Sequence, residues 1–472
     1  MSKQGEIMKH FKRDLSLRFV KLLNIALTSL PFIFSWMAYY SKHTAGVEYT
    51  TGNIIAIGMF VFLYVIFARI YDAFLVSINR ISEMIYSQSL AFIISDAFMF
   101  VVIWLLCQSF PNILPMLACI AVQFTISIIW SVTAHKWYYS KFGAKKSAVV
   151  YSDFHDIESL IHEYRLDKKF KVVKALTVDE CMSDIDVLSD MDTVFVCGVQ
   201  SHNRNKIMKY CINNGLESYI MPSVGDIVLS GAQKLHMFHL PLLRVGRCTL
   251  NPEQIIIKRV FDIIASSIGI IVASPVMLIT AIAIKMCDRG PVLYKQNRLT
   301  KDGKVFAIWK FRSMRTDAEK DGVARLSTGD NDSRITPVGK VIRKLRIDEF
   351  PQLFNILLGD MSIVGPRPER PEIASQYEEQ LPDFRLRLQV KAGLTGYAQV
   401  YGKYNTTPFN KLQMDLMYIA KFNLLEDLRI IFATIKIIFL PESTDGIAQG
   451  QTTAMVENDK EREPALTNSS NN

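Results

Sequence analysis

The sequence has few charged residues and no paired cysteines. Charged residues make up 21% of the 472 residues, whereas hydrophobic residues make up 50%. This composition is too apolar for an ordinary soluble enzyme, and it excludes an intrinsically disordered chain. The seven cysteines are odd in number, scattered and never arranged as C-x-x-C. Neither a disulfide framework nor a zinc site is indicated, and a reducing compartment fits best.

Charge is absent from several long stretches in the first third of the chain. A membrane-spanning helix needs about 20 mainly apolar residues, and four segments have this length: 22–40, 49–68, 84–110 and 113–134. The first is too long for a signal-peptide core, so we expect it to be retained. The third contains Asp96, which is costly in a membrane and should face the helix bundle. Bundle packing and a transport or proton-relay role are equally weighted alternatives for Asp96.

Basic residues flank these segments on one side only. The net charge is +9, and the tail of residues 1–21 contains six lysines and arginines against Glu6 and Asp14. More bases follow the second and fourth segments, whereas the other two loops hold little beyond Lys42. Because Lys and Arg favour the cytoplasmic side, both ends of the four-helix domain, residues 22–137, are predicted to be cytoplasmic. The placement suggests an anionic membrane surface as partner and no nucleic acid.

Residues 146–245 have a different pattern, in which short β-rich runs alternate with mixed helical stretches. The runs at 148–151, 171–173, 193–197 and 218–221 predict a small parallel α/β domain that resembles a Rossmann fold. The turn after the first run, residues 152–155, lacks the G-x-G-x-x-G that lets backbone amides approach a pyrophosphate. A bound dinucleotide is therefore disfavoured, and a structural or regulatory module is the alternative.

A fifth apolar segment, residues 260–285, has basic residues at both ends. Both ends therefore carry the cytoplasmic signature. Ser274 and Pro275 lie halfway along, where proline removes a backbone donor and kinks or breaks a helix. We predict a re-entrant membrane hairpin with its apex at these two residues. A kinked spanning helix is the alternative.

Residues suited to phosphate chemistry follow this segment. The run 305–314 reads as a strand, so the period of two places Lys310 and Arg312 on one face. Adjacent carboxylates, Asp348 and Glu349, come just after a basic run that includes Arg343. Prolines then flank Arg367, whose guanidinium could bind phosphate in a forked geometry. Each feature alone is unremarkable, because an Asp-Glu pair is usually a solvated face and Pro-Arg-Pro is a loop.

Four sequence motifs, taken in their order along the chain, are specific for one protein family. KFRSM (310–314), DEFPQLFNILLGDMSIVGPRPE (348–369), KAGLTGYAQVYGK (391–403) and the preceding KRVFD (258–262) together resemble the bacterial sugar transferase family. These proteins are monotopic polyprenyl-phosphate phosphoglycosyl transferases, and the four apolar segments with an α/β module resemble their large branch. The resemblance implies a catalytic α/β domain over residues 252–441, anchored by the re-entrant helix, on the cytoplasmic face of the bacterial inner membrane.

The family resemblance also implies the reaction and its residues. A hexose 1-phosphate passes from a UDP-hexose to undecaprenyl phosphate with release of UMP, as the initiating membrane step of capsule or exopolysaccharide biosynthesis. Asp348 would form a covalent phosphosugar intermediate, and Glu349 would bind Mg²⁺. Membrane lipids are expected partners, and a homodimer is left open. The other residues implied are catalytic Lys310 and Arg343, and substrate-binding Arg312, Pro366, Arg367, Pro368 and Glu369.

Some features depart from the family pattern or stay open. Many members have Lys-Pro-Gly where this chain has Lys-Ala-Gly at 391–393, and Asn-Gly-Arg where it has Tyr-Gly-Lys at 401–403. Lys403 lacks the fork of arginine, so the substrate contacts of this loop and the identity of the hexose stay open. Residues 424–440 predict a helix in the membrane interface, with a core helix a close alternative. The polar tail, residues 442–472, is predicted to be disordered.

Three other classes of protein compete with this interpretation. A transporter should line several spans with ionisable groups, whereas Asp96 is the lone clear example. A membrane scaffold or regulator of polysaccharide export would need no cluster of cations beside a carboxylate pair. A polytopic enzyme making the same linkage would spread catalytic aspartates among many spans. The phosphoglycosyl transferase interpretation is therefore preferred.

Overall fold

The computed structural model describes residues 3–44, 50–107, 109–152, 161, 166–167, 169–237, 239–247, 252–315, 334–402 and 406–438. The chain divides into two compact units, Met1–Met221 and Pro222–Asn472. The first contains a helix bundle and a parallel sheet, and the second contains the sequence motifs.

Four long helices form the bundle of the first unit: α1 (Lys3–Ala38), α2 (Thr50–Ile70), α3 (Ile81–Cys107) and α4 (Leu114–Lys141). Each coincides with one of the predicted apolar segments. With one helix of the second unit, the described part of the chain has five helices long and apolar enough to cross a membrane. The protein is a membrane protein by this criterion, while the number of spans and their orientation stay predictions.

Buried polar side chains join the four helices of the bundle. Tyr64 donates to Asn24 at 2.7 Å, and both Asn24 and Ser127 donate to Gln88 Oε1, at 3.3 and 2.8 Å. Such bonds hold helices together where lipid gives no hydrophobic drive between them. Asp96 is fully buried in the bundle, as expected, and neither carboxylate oxygen has a hydrogen-bond partner among the described residues.

A four-stranded sheet follows the bundle and confirms the predicted parallel α/β domain. Its strands are β1 (Lys145–Tyr151), β2 (Phe170–Thr177), β3 (Thr193–Cys197) and β4 (Glu217–Ile220), in the spatial order β2-β1-β3-β4 and all parallel. The helices α5 (Val178–Ser183) and α6 (Ser201–Asn214) cover it. Most of the turn that lacks the glycine fingerprint, residues 153–155, lies outside the described residues.

The second unit mixes short strands and helices around the long helix α8. Its helices are α7 (Val224–Ser230), α8 (Pro252–Asp288), α9 (Pro337–Lys344), α10 (Gln352–Leu358), α11 (Pro371–Gln380), α12 (Tyr397–Tyr401), α13 (Pro408–Ala420) and α14 (Leu424–Ile438). Its strands pair as β5 (Gln233–Met237) with β6 (Leu240–Arg244), β7 (Leu293–Leu299) with β8 (Val305–Phe311), and β9 (Ser362–Val364) with β10 (Gly393–Thr395).

Helix α7 belongs to the second unit, although the sequence placed it within residues 146–245. Ile227 is 3% exposed and lies in the main hydrophobic core of this unit. Gln413 on α13 donates to the carbonyl oxygen of Pro222, just before α7, at 2.6 Å. The short sequence of α7 has no local signal for which core it joins, so only its contacts assign it.

Helix α14 packs one face into the same core. Ile430 and Ala433 are buried, and Asp427 accepts a hydrogen bond from Tyr418 at 2.8 Å. This matches the core-helix alternative that the sequence left open, while contact with a membrane interface stays a prediction. The predicted disordered tail, residues 442–472, lies outside the described residues.

Both halves of α8 contact other elements of the second unit. In its first half, Lys258 pairs with Asp427 at 2.6 Å and Arg259 donates to two carbonyl oxygens at the end of α10, at 2.7 and 2.8 Å. In its second half, Ile284 packs with Phe311 and Ile342. The helix is continuous through Pro275, and Ser274 donates to the carbonyl oxygen of Ile271 at 2.7 Å. The hairpin at these two exposed residues therefore stays a prediction.

Candidate active site

A buried amide places β8 beside the segment that carries the two carboxylates. Asn355 on α10 accepts from the N–H of Trp309 and donates to the carbonyl oxygen of Ala307, both at 2.9 Å. One side chain thus satisfies a donor and an acceptor on β8 in the way that a neighbouring strand would. This pairing holds Lys310, next to Trp309, near the start of α10.

Asp348 and Glu349 lie in a 3-10 turn, residues Ile347–Glu349. The preceding Arg346 has a φ of 52°, which is uncommon for a residue with a side chain and ends α9 with a sharp change of direction. Glu349 Oε1 lies 3.4 Å from Lys310 Nζ and 3.2 Å from Arg367 Nη2. Three segments distant in sequence therefore meet at one carboxylate.

The two carboxyl groups have different electrostatic environments. Burial and the neighbouring Glu349 raise the pKa of Asp348 to about 6, against the opposing effect of Lys310, Arg343 and Arg367. Burial alone would raise the pKa of Glu349, but Lys310 and Arg367 hold it well below its usual range. Lys310 and Arg367 thus pair with Glu349. Their effect on Asp348 is too small to cancel the increase in its pKa that burial and Glu349 cause. Asp348 makes no hydrogen bond to another described side chain.

The Pro-Arg-Pro loop is fixed through its backbone. Four successive carbonyl oxygens accept hydrogen bonds: that of Pro366 from Gly393 N at 2.9 Å, that of Arg367 from Arg387 Nη2 at 3.0 Å, that of Pro368 from Arg298 Nη1 at 3.0 Å and that of Glu369 from Leu299 N at 3.0 Å. Both prolines are buried, whereas the side chain of Arg367 is 43% exposed. The loop is therefore anchored on both sides of an accessible guanidinium.

Close approach of two backbones explains two of the glycines in the motifs. A Cβ added at Gly393 would lie 2.1 Å from the nitrogen of Gly365, and one added at Gly365 would lie 2.3 Å from the carbonyl oxygen of Lys391. Any side chain would push the backbone at 391–393 away from the Pro-Arg-Pro loop. Lys391 itself donates to the carbonyl oxygen of Gly359 at 2.7 Å, where α10 ends. Lys403 lies outside the described residues.

A buried charge cluster behind the loop was missed by the sequence analysis. Arg387 donates from Nε to Asp415 Oδ2 at 2.8 Å, its Nη2 lies 2.7 Å from the same oxygen, and its Nη1 lies 3.7 Å from Glu369. Glu369, predicted to bind substrate, thus faces Arg387 in this cluster. The buried arginine and the buried aspartate are 28 residues apart, so no local sequence pattern links them. The apolar residues around Arg387 in the sequence were the one signal that could have predicted its burial.

The other two predicted cations have different positions. Arg343 acts electrostatically on Asp348, and its Nη1 is buried with no hydrogen bond among the described residues, which suits an anionic ligand. The guanidinium of Arg312 lies against Gly290, just after α8. β8 ends at Phe311, but the N–H of Arg312 still donates to the carbonyl oxygen of Val292 at 3.0 Å, so the common face of Lys310 and Arg312 stays a prediction.

The two described carboxylates would hold a magnesium ion together with oxygen ligands from a substrate. Among the described residues there is no group of three or more metal-binding side chains. Magnesium is usually held by one or two carboxylates, with phosphate oxygens and water completing its six ligands. The adjacent Glu349 and Asp348 fit this pattern, provided that Glu349 exchanges some of its contact with Lys310 and Arg367 for the metal.

The site lies in the part of the chain that resembles known proteins. Residues 253–441 match the family model described as bacterial sugar transferase. The chain is 43% identical over 213 residues to a UDP-N-acetylgalactosamine-undecaprenyl-phosphate N-acetylgalactosaminephosphotransferase of Aeromonas hydrophila, a match to 44% of this chain and 49% of that protein. It is 39% identical over 201 residues to a UDP-glucose:undecaprenyl-phosphate glucose-1-phosphate transferase of Klebsiella pneumoniae, covering 42% and 43% of the two chains.

A shorter relative is covered almost completely. The exopolysaccharide production protein PSS of Rhizobium leguminosarum bv. phaseoli is 41% identical over 191 residues, which are 39% of this chain and 94% of that protein. The chain thus matches about half the length of the two longer relatives and nearly all of this one. The chain therefore belongs to the bacterial sugar transferase family.

Proposed function

We propose that this chain transfers a hexose 1-phosphate from a UDP-hexose to undecaprenyl phosphate and releases UMP, as the membrane step that initiates capsule or exopolysaccharide synthesis. The observation that carries the proposal is that two adjacent carboxylates have different surroundings. Glu349 is held by Lys310 and Arg367, whereas the Asp348 carboxylate makes no hydrogen bond to a described side chain and is left to react. The substrates in the names of two relatives support the same reaction.

The reaction would proceed in two displacements at one phosphorus atom. A carboxylate oxygen of Asp348 attacks the phosphorus that bears the sugar, the bond from that phosphorus to the bridging oxygen breaks, and UMP leaves with the electron pair. A phosphate oxygen of undecaprenyl phosphate then attacks the same phosphorus and releases the carboxylate of Asp348. Covalent catalysis divides one difficult transfer into two easier ones.

The surrounding residues of this chain would bind the diphosphate and stabilise its charge. The exposed guanidinium of Arg367 and the ammonium of Lys310 can contact phosphate oxygens beside Glu349, and Arg343 has an unused donor near Asp348. These cations are fixed before substrate binds, so they stabilise developing charge without reorganisation. A magnesium ion held by Glu349, when bound, would neutralise charge on the leaving UMP.

We also propose that α8 enters and leaves the membrane from the cytoplasmic side. Lys258 and Arg259 contact α14 and α10, while Ile284 near the other end packs beside β8 and α9. A straight spanning helix would carry one of these ends far from the catalytic residues. The outward side chains between them, including Ile271, Val272 and Ile279, are about two-thirds exposed and suit contact with lipid.

Intact-protein mass spectrometry would test the proposed intermediate. Full-length protein is exposed briefly, without undecaprenyl phosphate, to a panel of UDP-hexoses and UDP-N-acetylhexosamines, and release of UMP is measured in parallel. The wild type should gain the mass of one sugar phosphate with the correct donor. Asp348→Asn keeps the shape of the side chain but removes the attacking charge, so both the adduct and UMP release should fall by several orders of magnitude.

A matched control separates loss of the nucleophile from loss of folding. Asp383→Asn changes an exposed aspartate of the same unit and should leave the adduct and the rate unchanged. An adduct on Asp348→Asn would show that another residue is the nucleophile. UMP release at the wild-type rate by Asp348→Asn would remove the catalytic role of this carboxylate, whereas a wild type that releases no UMP with any donor of the panel would favour a scaffold.

A further inference from the structure

Arg346 connects α9 to the turn that carries the two carboxylates. Its backbone N–H donates to the carbonyl oxygen of Arg343 at 3.0 Å, and its own carbonyl oxygen accepts from the N–H of Glu349 at 3.2 Å. Because both groups are bonded, the backbone of Arg346 is held at a φ of 52° and a ψ of 21°, in the left-handed region that favours glycine. Residues held in such unfavourable conformations are concentrated at binding and catalytic sites.

The side chain of Arg346 is not used to hold the protein together. It is half-buried, and it makes no hydrogen bond or ion pair with any residue that the structure describes. Lys310 and Arg367, by contrast, lie 3.4 and 3.2 Å from Glu349 Oε1. The positive charge of Arg346 also acts on Glu349, but less strongly than the charges of those two residues. A guanidinium with several donors is therefore available beside the carboxylate pair.

Two exposed apolar side chains lie just before Arg346. Val341 is 58% exposed and Leu345 is 51% exposed, and their spacing of four residues places them on one side of α9. Another side of α9 packs through Ile342 against Ile284 of α8, and α8 is the helix proposed above to enter the membrane. The apolar strip formed by Val341 and Leu345 therefore belongs to a helix that packs on the proposed membrane helix, and a cation follows it directly.

We propose that Arg346 binds the phosphate of the acceptor, undecaprenyl phosphate, while the prenyl chain lies along the apolar strip. This inference rests on the proposed transferase function, and it gives the acceptor a contact that the donor diphosphate does not share. A phosphate on an apolar chain is the ligand that a guanidinium beside exposed apolar side chains would recognise. Arg346 makes and breaks no bond, because it only holds the phosphate whose oxygen attacks the phosphosugar on Asp348.

The two half-reactions separate this contact from those made to the donor. Full-length protein in nanodiscs is assayed for the covalent adduct with the UDP-sugar alone, and for the lipid-linked product after undecaprenyl phosphate is added. Arg346→Gln should raise the KM for undecaprenyl phosphate about tenfold, as expected for the loss of one hydrogen bond to a charged group. The KM for the UDP-sugar should change by less than about twofold. Arg346→Lys should recover part of the acceptor affinity, because it keeps the charge without the fork.

Two further variants separate acceptor binding from effects on folding or on general membrane attraction. Arg346→Gly suits the left-handed backbone, so the unfolding temperature should not fall, whereas the KM for undecaprenyl phosphate should rise as it does in Arg346→Gln. Lys344→Gln removes an exposed lysine two residues away and is the matched control. Its KM for undecaprenyl phosphate should equal that of the wild type, both in nanodiscs of phosphatidylcholine and in nanodiscs that contain phosphatidylglycerol.

An unchanged KM for undecaprenyl phosphate in Arg346→Gln would overturn the inference, and so would an equal rise in the KM for the UDP-sugar. An effect of Arg346→Gln that is seen only in nanodiscs with phosphatidylglycerol would assign the residue to bulk phospholipid and would also overturn it. A wild type that forms no adduct with any UDP-sugar would refute the proposed function and this inference with it. The two failures are distinguishable, because the adduct is measured before the acceptor is added.

Discussion

The guanidinium of Arg387 donates a hydrogen bond to the backbone carbonyl oxygen of Arg367 across 3.0 Å. The same guanidinium is held by Asp415, at 2.8 and 2.7 Å. Arg387 is thus a buried cation that positions the backbone of a second, exposed cation. The side chain of Arg367 can therefore reach Glu349 without its loop having to order first.

Arg387→Lys should impair this positioning while keeping the charge. Lysine has no planar fork, so it cannot contact Asp415 and the carbonyl oxygen of Arg367 together. We expect the KM for the UDP-sugar to rise about tenfold and the free energy of unfolding to fall by about 1–3 kcal/mol. UMP-release kinetics and thermal unfolding would measure both. Arg385→Lys, at an exposed position in the same 3-10 segment, is the control. Wild-type kinetics for Arg387→Lys would contradict the positioning role.

Activity should fall as the pH falls through about 6. Burial and Glu349 raise the pKa of Asp348 to about that value, and only the ionised carboxylate can attack phosphorus. Below the pKa, the rate should drop about tenfold per pH unit. Removing the neighbouring negative charge by Glu349→Gln should lower the pKa of Asp348, so the acid limb of any residual activity should move to lower pH. A pH profile of kcat/KM would measure this, and an acid limb that stays in place would refute the assignment.

Glu349→Gln should also change the demand for magnesium. The substitution replaces a charged oxygen ligand with a neutral one, so half-maximal residual activity should need more Mg²⁺ than in the wild type. Glu379→Gln, on the exposed face of α11, should leave the magnesium dependence unchanged. Titration of Mg²⁺ after treatment with a chelator would measure the shift. Full activity of the chelator-treated wild type would argue against a magnesium requirement.

Both ends of α8 should be protected from reagents added outside intact cells. Cys287 is a natural exposed reporter near one end, and Glu253→Cys would add a reporter at the other. Neither should react with a membrane-impermeant thiol reagent, and both should react after the cells are opened. Lys42→Cys, in a loop predicted to lie outside, is the positive control, with Cys107 replaced by serine throughout. Labelling of one end only would establish a spanning helix instead of a hairpin.

Helix α7 should be required by the catalytic unit. A chain beginning at Pro222 keeps Ile227 in the main core, whereas a chain beginning at 251 removes it. The longer truncation product should release UMP, and the shorter one should unfold at a lower temperature. Ile227→Ala should cost about 2–5 kcal/mol of unfolding free energy, whereas Leu229→Ala, 49% exposed on the same helix, should cost little. Equal stability of the two truncated proteins would show that α7 is dispensable.

The sequence by itself determined the features that depend on neighbouring residues. Apolar runs of about 20 residues predict membrane helices wherever they occur, and all four predicted segments coincide with α1–α4. Short β-rich runs predicted the parallel sheet, and β3 has the predicted bounds of 193–197. The motifs around Asp348 and Glu349 indicated the family, because the order and spacing of motifs can be read from the sequence without knowledge of the fold.

Only the tertiary structure decided which of those residues meet. Lys310, Glu349 and Arg367 converge because Asn355 pairs with β8 and four carbonyl contacts fix the Pro-Arg-Pro loop. The same folding places Glu369 against Arg387 and Arg312 against Gly290. Contacts between residues tens of positions apart depend on turns and packing along the whole intervening chain. A local sequence pattern can therefore predict which residue types a site contains. The tertiary structure determines which individual residues come into contact there.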